Sequence, residues 1–153
     1  MPDPDLEWLR DSGLRLDREG RWWHEGQQVL HERLARALHR WLDRLEDGRY
    51  VVRVAPDRYA FVEVEDAPFQ VLRLQIEPQG MVVELSDGTH EPLDGGSLTV
   101  GRDDAFYCRV HHGRFEARFS RGAHNTLGAL VDHDGSGFVI RHGARIWPIG
   151  PRR

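Results

Sequence analysis

Three carboxylate side chains crowd into the stretch VEVEDAPF, where Glu63, Glu65 and Asp66 lie within four residues. Two carboxylates held close together can divide acid–base work, because the charge of one raises the pKa of the other. Glu63 and Glu65 would point to the same face of a strand, however, where water ordinarily solvates such groups. Asp66 precedes Ala67-Pro68 and is suited to accept backbone N–H groups in a turn. The pattern favours an architectural role, with a hydrolase or transferase built on these carboxylates as the alternative.

The stretch DHDGSGFVIRHG, from Asp132 to Gly143, starts like a calcium-binding loop. Oxygen ligands occupy its first, third and fifth positions and a glycine its sixth, as in an EF-hand. The twelfth position of such a loop must supply a bidentate glutamate, and here it is Gly143. The residues that follow the glycines alternate as strands do. We therefore expect an acidic, glycine-rich turn that does not bind calcium.

Histidine, cysteine and serine provide weaker chemical signals. None of the nine histidines falls in an HExxH pattern, and the adjacent His111 and His112 cannot face the same way on a strand. Cys108 is the single cysteine, which excludes an internal disulfide and metal sites built on several thiolates. GSG and GGSLTVG lack the form of a nucleophile elbow and of a dinucleotide loop. We therefore expect no metal, no cofactor and no catalytic nucleophile.

The basic residues of this chain are all arginine, 21 in number with no lysine, and the net charge is −4. Without lysine there is no Schiff-base lysine and no lysine-dependent phosphate loop, so arginine would hold any anion. The negative net charge argues against a nucleic-acid footprint. No apolar run approaches the roughly 20 residues of a membrane span, and the acidic N-terminus does not resemble a secretion signal. These features favour a globular cytoplasmic protein with neither nucleic acid nor membrane as a partner.

Hydrophobic periodicity predicts the elements of the first half. Asp3-Pro4 is typical of a helix start and predicts a short helix over residues 5–11. GRWWHEGQQV predicts a hairpin that turns at Glu25-Gly26 and sets Trp22 opposite Val29. LHERLARALHRWLDRL predicts the clearest helix, over residues 30–45. Its predicted apolar face consists of Leu30, Leu34, Leu38, Trp41, Leu42 and Leu45. Its opposite side carries a row of arginines, namely Arg33, Arg36, Arg40 and Arg44.

The later stretches read mainly as hairpins. YVVRV with YAFVEVE, and VLRLQIE with MVVEL, predict two pairs of strands. FYCRVHHGRFEARFS predicts a hairpin that turns at His112-Gly113 and buries Cys108 opposite Ala117. It also sets Arg109 directly opposite Glu116, where we expect a cross-strand ion pair. RGAHNTLGALV predicts a short helix. A last hairpin turning at His142-Gly143 would set Val139 against Ile146.

The motifs GRWWHEGQQV, DGRYVVRVAP, VEVEDAPF, FEARFSR and GFVIRHGARIWPIG, in this order, resemble the bacterial family catalogued as domain of unknown function 1285. The likeness covers about residues 17–150. It implies an α+β fold of two related halves, each of antiparallel strands with a helix, the second half similar to a pleckstrin-homology-like barrel. It also implies a cleft between the halves for a small ligand, such as a nucleotide, in a signalling role. We place a lead-in at residues 1–16 and the halves at residues 17–75 and 76–153.

This chain departs from the family pattern in two places. APDRY, at residues 55–59, stands where the family tends to have TPVEK, so a threonine and a glutamate are lost. A family arginine before the second hairpin's turn is replaced by His111 or His112. If those groups hold the family's ligand, its identity or affinity differs here.

Together these observations predict a non-enzymatic module that binds a small anionic, nucleotide-like ligand between the halves. Arginines would meet the anion, and aromatic side chains would stack on a flat ring. The expected ligand-binding residues are Trp22, Trp23, His24, Asp66, Phe69, Arg109, His111, Arg118 and Arg121. Besides the carboxylate-based enzyme, a protein-interaction domain that uses a sheet edge or the arginine row remains an alternative.

Overall fold

A computed structural model describes residues 13–153 of the chain, so the short helix predicted over residues 5–11 and its start at Asp3-Pro4 lie outside the described residues. The chain divides into two compact units, Met1–Pro68 and Phe69–Arg153, called unit 1 and unit 2 below. The division lies just before the strand Phe69–Glu77, which runs unbroken through the boundary expected after residue 75.

Unit 1 combines a mixed six-stranded sheet with a helix. Its described elements are β1 (Leu14–Leu16), β2 (Trp22–His24), β3 (Gln27–Gln28), α1 (Glu32–Arg40), β4 (Leu42–Arg44), β5 (Tyr50–Ala55) and β6 (Arg58–Val64). The strands stand in the order β3-β2-β1-β6-β5-β4. All neighbouring strands are antiparallel except β1 and β6, which run parallel.

The first predicted hairpin is confirmed. Glu25 and Gly26 form its turn, both with positive φ, at 50° and 83°. The Val29 N–H donates to the Trp22 carbonyl oxygen over 2.8 Å, so the two residues stand opposite each other as expected. Glycine adopts positive φ without strain, which explains why this turn could be located from the sequence.

The predicted helix over residues 30–45 is wrong at its C-terminal end. Helix α1 stops at Arg40, and the next residues form strand β4. Leu42 pairs with Val52 of β5 across a turn at Asp47-Gly48. Ladder hydrogen bonds to a neighbouring strand replace the helical ones here, because tertiary pairing outweighs the weak intrinsic preference for helix.

Unit 2 combines two sheets with a helix. Its described elements are β7 (Phe69–Glu77), β8 (Gly80–Leu85), β9 (His90–Pro92), β10 (Thr99–Val100), β11 (Phe106–Val110), β12 (Phe115–Phe119), α2 (Arg121–Gly128), β13 (Val131–His133), β14 (Phe138–His142), β15 (Arg145–Pro148) and β16 (Gly150–Pro151). The larger, mixed sheet has the order β16-β10-β11-β12-β7-β8-β9, and β13-β14-β15 form the smaller one. The described strand order is open, with β16 and β9 at its edges. The α+β class is confirmed.

The register of the β11–β12 hairpin is confirmed. Cys108 pairs with Ala117 and Arg109 stands opposite Glu116. Cys108 is 1% exposed, and burial, together with nearby carboxylates, raises the pKa of its thiol, as suits a core residue. The expected ion pair between Arg109 and Glu116 is wrong. Arg109 donates to the Gly113 carbonyl oxygen, and Glu116 accepts the Arg152 guanidinium at 2.6 Å.

The register predicted for the last hairpin is wrong by two residues. Val139 stands opposite Pro148, and Ile146 stands opposite Arg141. The turn lies one residue later than expected, because Gly143, at φ 58°, is the first of its two central residues. A shift of two residues leaves each side chain on its original face, so the hydrophobic pattern alone does not distinguish the two registers. No helix in the described part of the chain is long and apolar enough to cross a membrane.

Candidate functional site

An apolar groove of about 290 Å³ lies beside helix α1 in unit 1. Helix α1 contributes Leu34 and Leu38 to its wall, strand β5 contributes Val52 and Val54, and Trp41 follows the helix. Leu34 and Leu38 are one helical turn apart, and Val52 and Val54 alternate to the same face of their strand. The local periods of helix and strand therefore direct both pairs into one groove.

Several large apolar side chains around the groove are exposed. Leu34 is 45% exposed, Trp41 40% and Val54 54%, whereas Leu38 and Val52 at the base are buried. Single exposed apolar residues are ordinary, but several around one groove mark a surface that contacts a ligand or a partner. The sequence had assigned Leu34 and Trp41 to the buried face of a longer helix, so this groove was not expected.

Two polar side chains, His24 and Tyr59, belong to the described lining of the groove. The Tyr59 ring contacts Phe61 edge-on at 5.9 Å, and the Arg53 guanidinium lies 5.3 Å from its centroid. Arg53 in turn pairs with Asp43 at 3.2 Å. These contacts hold Tyr59 in place, while His24 at the end of β2 is exposed.

The two tryptophans expected at the site, Trp22 and Trp23, lie in different surroundings within unit 1. Trp22 is 1% exposed and donates its indole N–H to Nδ1 of His39 over 2.8 Å, inside the core of unit 1. Trp23 donates to Asp17 over 2.9 Å, and Arg15 lies over its ring at 5.2 Å. Both rings are therefore engaged by their own unit. Of the residues expected from unit 1, His24 lines the groove.

Asp17 is a buried carboxylate that the sequence reasoning missed. Its oxygens accept the Glu19 and Arg21 backbone N–H groups, the Arg21 Nε–H and the Trp23 indole N–H. Burial alone would raise the pKa of this carboxyl, but the hydrogen bonds from Trp23, Arg21 and Glu19 outweigh it and lower the pKa. Asp17 closes the turn between β1 and β2. The available signal was the DREG tetrapeptide, an aspartate before a glycine turn.

Glu65 of VEVEDAPF makes contacts that join parts of unit 1. Glu65 accepts the Arg18 backbone N–H over 3.0 Å, and Arg15 and Arg18 approach it at 3.9 and 3.5 Å. Glu63 is exposed on β6, and Asp66 is half-buried in the bend that follows. The contacts of Glu65 link β6 to the chain after β1, which is an architectural role.

In unit 2, the structure brings Phe69 and His111 together, two residues expected at the site. Their ring centroids are 4.9 Å apart. His111 Nε2 lies 2.9 Å from Asp87, which is 6% exposed, and its backbone N–H donates to Glu91 over 3.0 Å. His111 also has φ 53°, a left-handed conformation that is rare for a residue with a side chain. Strained residues gather at functional and structurally critical positions.

We expect His111→Ala to lower the free energy of unfolding by about 1–3 kcal/mol, because buried Asp87 loses a hydrogen-bond partner. His112 offers a matched control, since it has φ 61° and is exposed. His112→Ala retains the left-handed backbone at its own position and removes no partner of a buried carboxylate. Its loss of unfolding free energy should therefore be smaller. Urea unfolding followed by circular dichroism measures both. Equal losses would show that backbone strain, rather than the Asp87 contact, explains the effect.

The three arginines expected to meet an anion have different surroundings. Arg118 pairs with Asp103 at 2.8 Å and donates to the Tyr107 hydroxyl over 3.1 Å. Arg109 donates to the Gly113 carbonyl oxygen. Arg121 is exposed at the first residue of α2. An anion at Arg118 or Arg109 would compete with these internal acceptors.

The DHDGSG stretch forms the turn between β13 and β14. The Asp134 carboxylate accepts the N–H groups of Ser136 and Gly137 and the Ser136 hydroxyl, at 2.9–3.0 Å. Asp132 pairs with Arg141 at 3.0 Å. Among the described residues, no group of three or more His, Cys, Asp or Glu side chains could hold a metal ion. The expected acidic turn is confirmed, and the absence of calcium binding stays a prediction.

Solved structures share this fold. The chain matches no family model, and no relative is found among curated proteins. A crystal structure of a DUF1285 family protein from Silicibacter pomeroyi DSS-3 is 22% identical, with TM-score 0.74, covering 96% of this chain and 86% of that one. A second, from Shewanella baltica OS155, is 20% identical, with TM-score 0.63, covering 78% of this chain and 92% of that one. The resemblance read from the sequence is thus confirmed at the level of the fold: this chain has the fold of the DUF1285 family proteins.

Proposed function

We propose that this protein is a small-ligand-binding module and that the groove of unit 1 receives an apolar or aromatic group of the ligand. The observation that carries the proposal is a groove of about 290 Å³ with apolar walls and two polar side chains. Small-molecule sites have this character, with volumes from roughly 300 Å³ upward. A ligand part of this size corresponds to one ring system or a short branched chain.

The energetics favour modest affinity. An apolar group that loses about 100 Å² of water-accessible surface gains about 2.5 kcal/mol, and association costs offset part of this gain. Hydrogen bonds to His24 or Tyr59 would orient the ligand and add specificity. The rest of the ligand would extend beyond the groove.

The family resemblance adds an anionic, nucleotide-like ligand and a signalling role to the proposal. Nucleotides therefore belong in any panel of candidate ligands.

The similarity of unit 2 to pleckstrin-homology-like domains is part of the same proposal. Its support is a seven-stranded sheet with helix α2 packed against β7 and β12. Because the described strand order is open, the proposed similarity lies in the succession of strands and the helix that covers them.

The groove is tested with the fluorescent probe 1-anilinonaphthalene-8-sulfonate on two matched variants. Leu34→Glu places a charge in the groove, whereas Leu30→Glu makes the same change at a residue that is 79% exposed and outside the described lining. We expect Leu34→Glu to weaken binding about tenfold, as the loss of one apolar contact would. Leu30→Glu should bind as the wild type does.

Circular dichroism and the melting temperature establish that both variants remain folded. A panel of aromatic acids and nucleotides is then tested for displacement of the probe, and the compounds that displace it indicate the chemical class of the ligand. Equal probe binding by the wild type and Leu34→Glu would remove the groove from the proposal.

A protein-interaction domain is the second candidate function, favoured by the exposed apolar side chains of Leu34, Trp41 and Val54. A partner's apolar helix face would fit such a surface. Co-purification of a partner by the wild type and by Leu30→Glu, but not by Leu34→Glu, would favour this candidate over the small ligand.

A further inference from the structure

We infer that unit 2 contains a second ligand site, which takes a small organic cation with an apolar body, such as an aryl-alkyl ammonium. The site is a cavity of about 220 Å³ between the loop before β11, helix α2 and strands β13 and β14. All the described lining residues belong to unit 2, so this site is independent of the groove of unit 1.

The walls of this cavity are aromatic and aliphatic. Phe106 stacks on the His124 imidazole with ring centroids 4.5 Å apart and an interplanar angle of 25°. Phe138 is 60% exposed, and the described apolar lining also includes Val100, Val131 and Ile149. Exposed Phe138 is held edge-on by its neighbour His133, at 5.4 Å between centroids. Aromatic faces attract cations through their quadrupoles, so these walls suit a cationic ligand as well as an apolar body.

The charge of the site comes from Asp104. This residue lies in the turn before β11 at φ 63°, and its backbone N–H donates to the Gly101 carbonyl oxygen. Within the described chain, its carboxylate has no ion pair or hydrogen bond, while the preceding Asp103 pairs with Arg118. Arg102, two residues before Asp104, is exposed and does not belong to the described lining of the cavity. The cavity therefore has an uncompensated negative charge at its edge.

A cation satisfies this arrangement better than a neutral or anionic molecule. Its ammonium group would meet the Asp104 carboxylate in a charge-assisted hydrogen bond, and its body would displace water from Phe106 and Phe138. A neutral alcohol of the same shape keeps the apolar contact and loses the charge. A carboxylate of the same shape is repelled by Asp104.

The whole chain is titrated by calorimetry with three probes of one shape: 2-phenylethylammonium, 2-phenylethanol and phenylacetate. We expect the cation to bind about tenfold more tightly than the alcohol, as one charge-assisted hydrogen bond would provide. Phenylacetate should bind most weakly. No detectable binding of the cation, or binding of the alcohol with the same affinity, would overturn the inference.

The variant Asp104→Asn removes the charge and retains the turn, because asparagine tolerates positive φ. We expect it to abolish the preference for the cation over the alcohol. Glu77→Gln is the matched control, since it removes one exposed charge of unit 2 outside the described lining and should leave the preference unchanged. Phe138→Ala should weaken the cation and the alcohol together.

Unchanged preference for the cation in Asp104→Asn would overturn the assignment of the charge to this residue. Asp104→Gly, in which glycine also tolerates the backbone, provides a second charge-removing variant should the asparagine variant be unstable. Melting temperatures of both establish that the fold is intact before the titrations are compared.

Discussion

Trp22→Ala is expected to lower the free energy of unfolding by about 3–5 kcal/mol, the usual cost of truncating a fully buried tryptophan. Trp22 is 1% exposed and also donates its indole N–H to Nδ1 of His39, which is 3% exposed. The substitution leaves a cavity and removes the donor that faces a buried imidazole nitrogen. Urea unfolding followed by circular dichroism measures the loss.

Two further variants separate packing from hydrogen bonding. Trp22→Phe retains most of the ring and loses the donor, so it should cost about 1–3 kcal/mol. Trp41→Ala is the matched control, because Trp41 is 40% exposed and its truncation leaves no closed cavity. A loss for Trp41→Ala as large as that for Trp22→Ala would contradict the assignment of Trp22 to the core.

Asp17→Ala is the second substitution with a large expected effect, about 3 kcal/mol of lost stability, because several donors lose a buried charged acceptor at once. Asp17→Asn should cost less, since the amide oxygen still accepts from the turn. Asp57→Asn provides the control at an exposed turn residue of the same unit. Urea unfolding near neutral pH measures all three. A loss for Asp17→Ala no larger than that for Asp57→Asn would contradict the role given to this turn.

The contribution of Asp17 should also depend on pH in a definite direction. The pKa of its carboxyl is lowered from the usual 3.8, with burial opposing the hydrogen bonds from Trp23 and Arg21 that lower it. A carboxyl with a lowered folded-state pKa stabilises the protein fully above its unfolded pKa. That stabilisation is lost as the pH falls below 3.8 through the lowered pKa.

The measurement is the difference in unfolding free energy between the wild type and Asp17→Asn as a function of pH. The wild type should keep a constant advantage above about pH 5 and lose it progressively below about pH 4. An advantage that persists unchanged through the acid range would show that the carboxyl keeps its ordinary pKa in the folded state.

The turns of the β2–β3 and β11–β12 hairpins and the pairing within β11–β12 could be predicted because each depends on neighbouring residues. The turns at Glu25-Gly26 and His112-Gly113 rest on glycine's tolerance of positive φ. The pairing of Cys108 with Ala117 follows from a period of two on both sides of a short turn. In the last hairpin a shift of two residues leaves each side chain on the same face, so the period of two did not distinguish the observed register from the predicted one.

The sequence predicted single residues of the candidate sites but not the residues that surround them. His24 of the groove and the contact of Phe69 with His111 involve expected residues, but their partners were not expected. Asp87 lies 24 residues from His111 in sequence, and no local pattern connects the two. The sequence could nominate side chains able to bind a ligand, but not which of them would share a cavity.

The sequence by itself determined the turns of the β2–β3 and β11–β12 hairpins and the burial of Cys108, because short-range periodicity and turn chemistry act within a few residues. The α+β class followed from the family resemblance. Only the tertiary structure decided where α1 ends, that β1 runs parallel to β6, and that Glu116 pairs with Arg152. Those outcomes depend on segments far apart in sequence that compete for the same backbone groups and charges. Packing selects among such partners through many weak contacts distributed over the whole unit. A single stretch of sequence contains only a few of these contacts, so it does not determine the outcome.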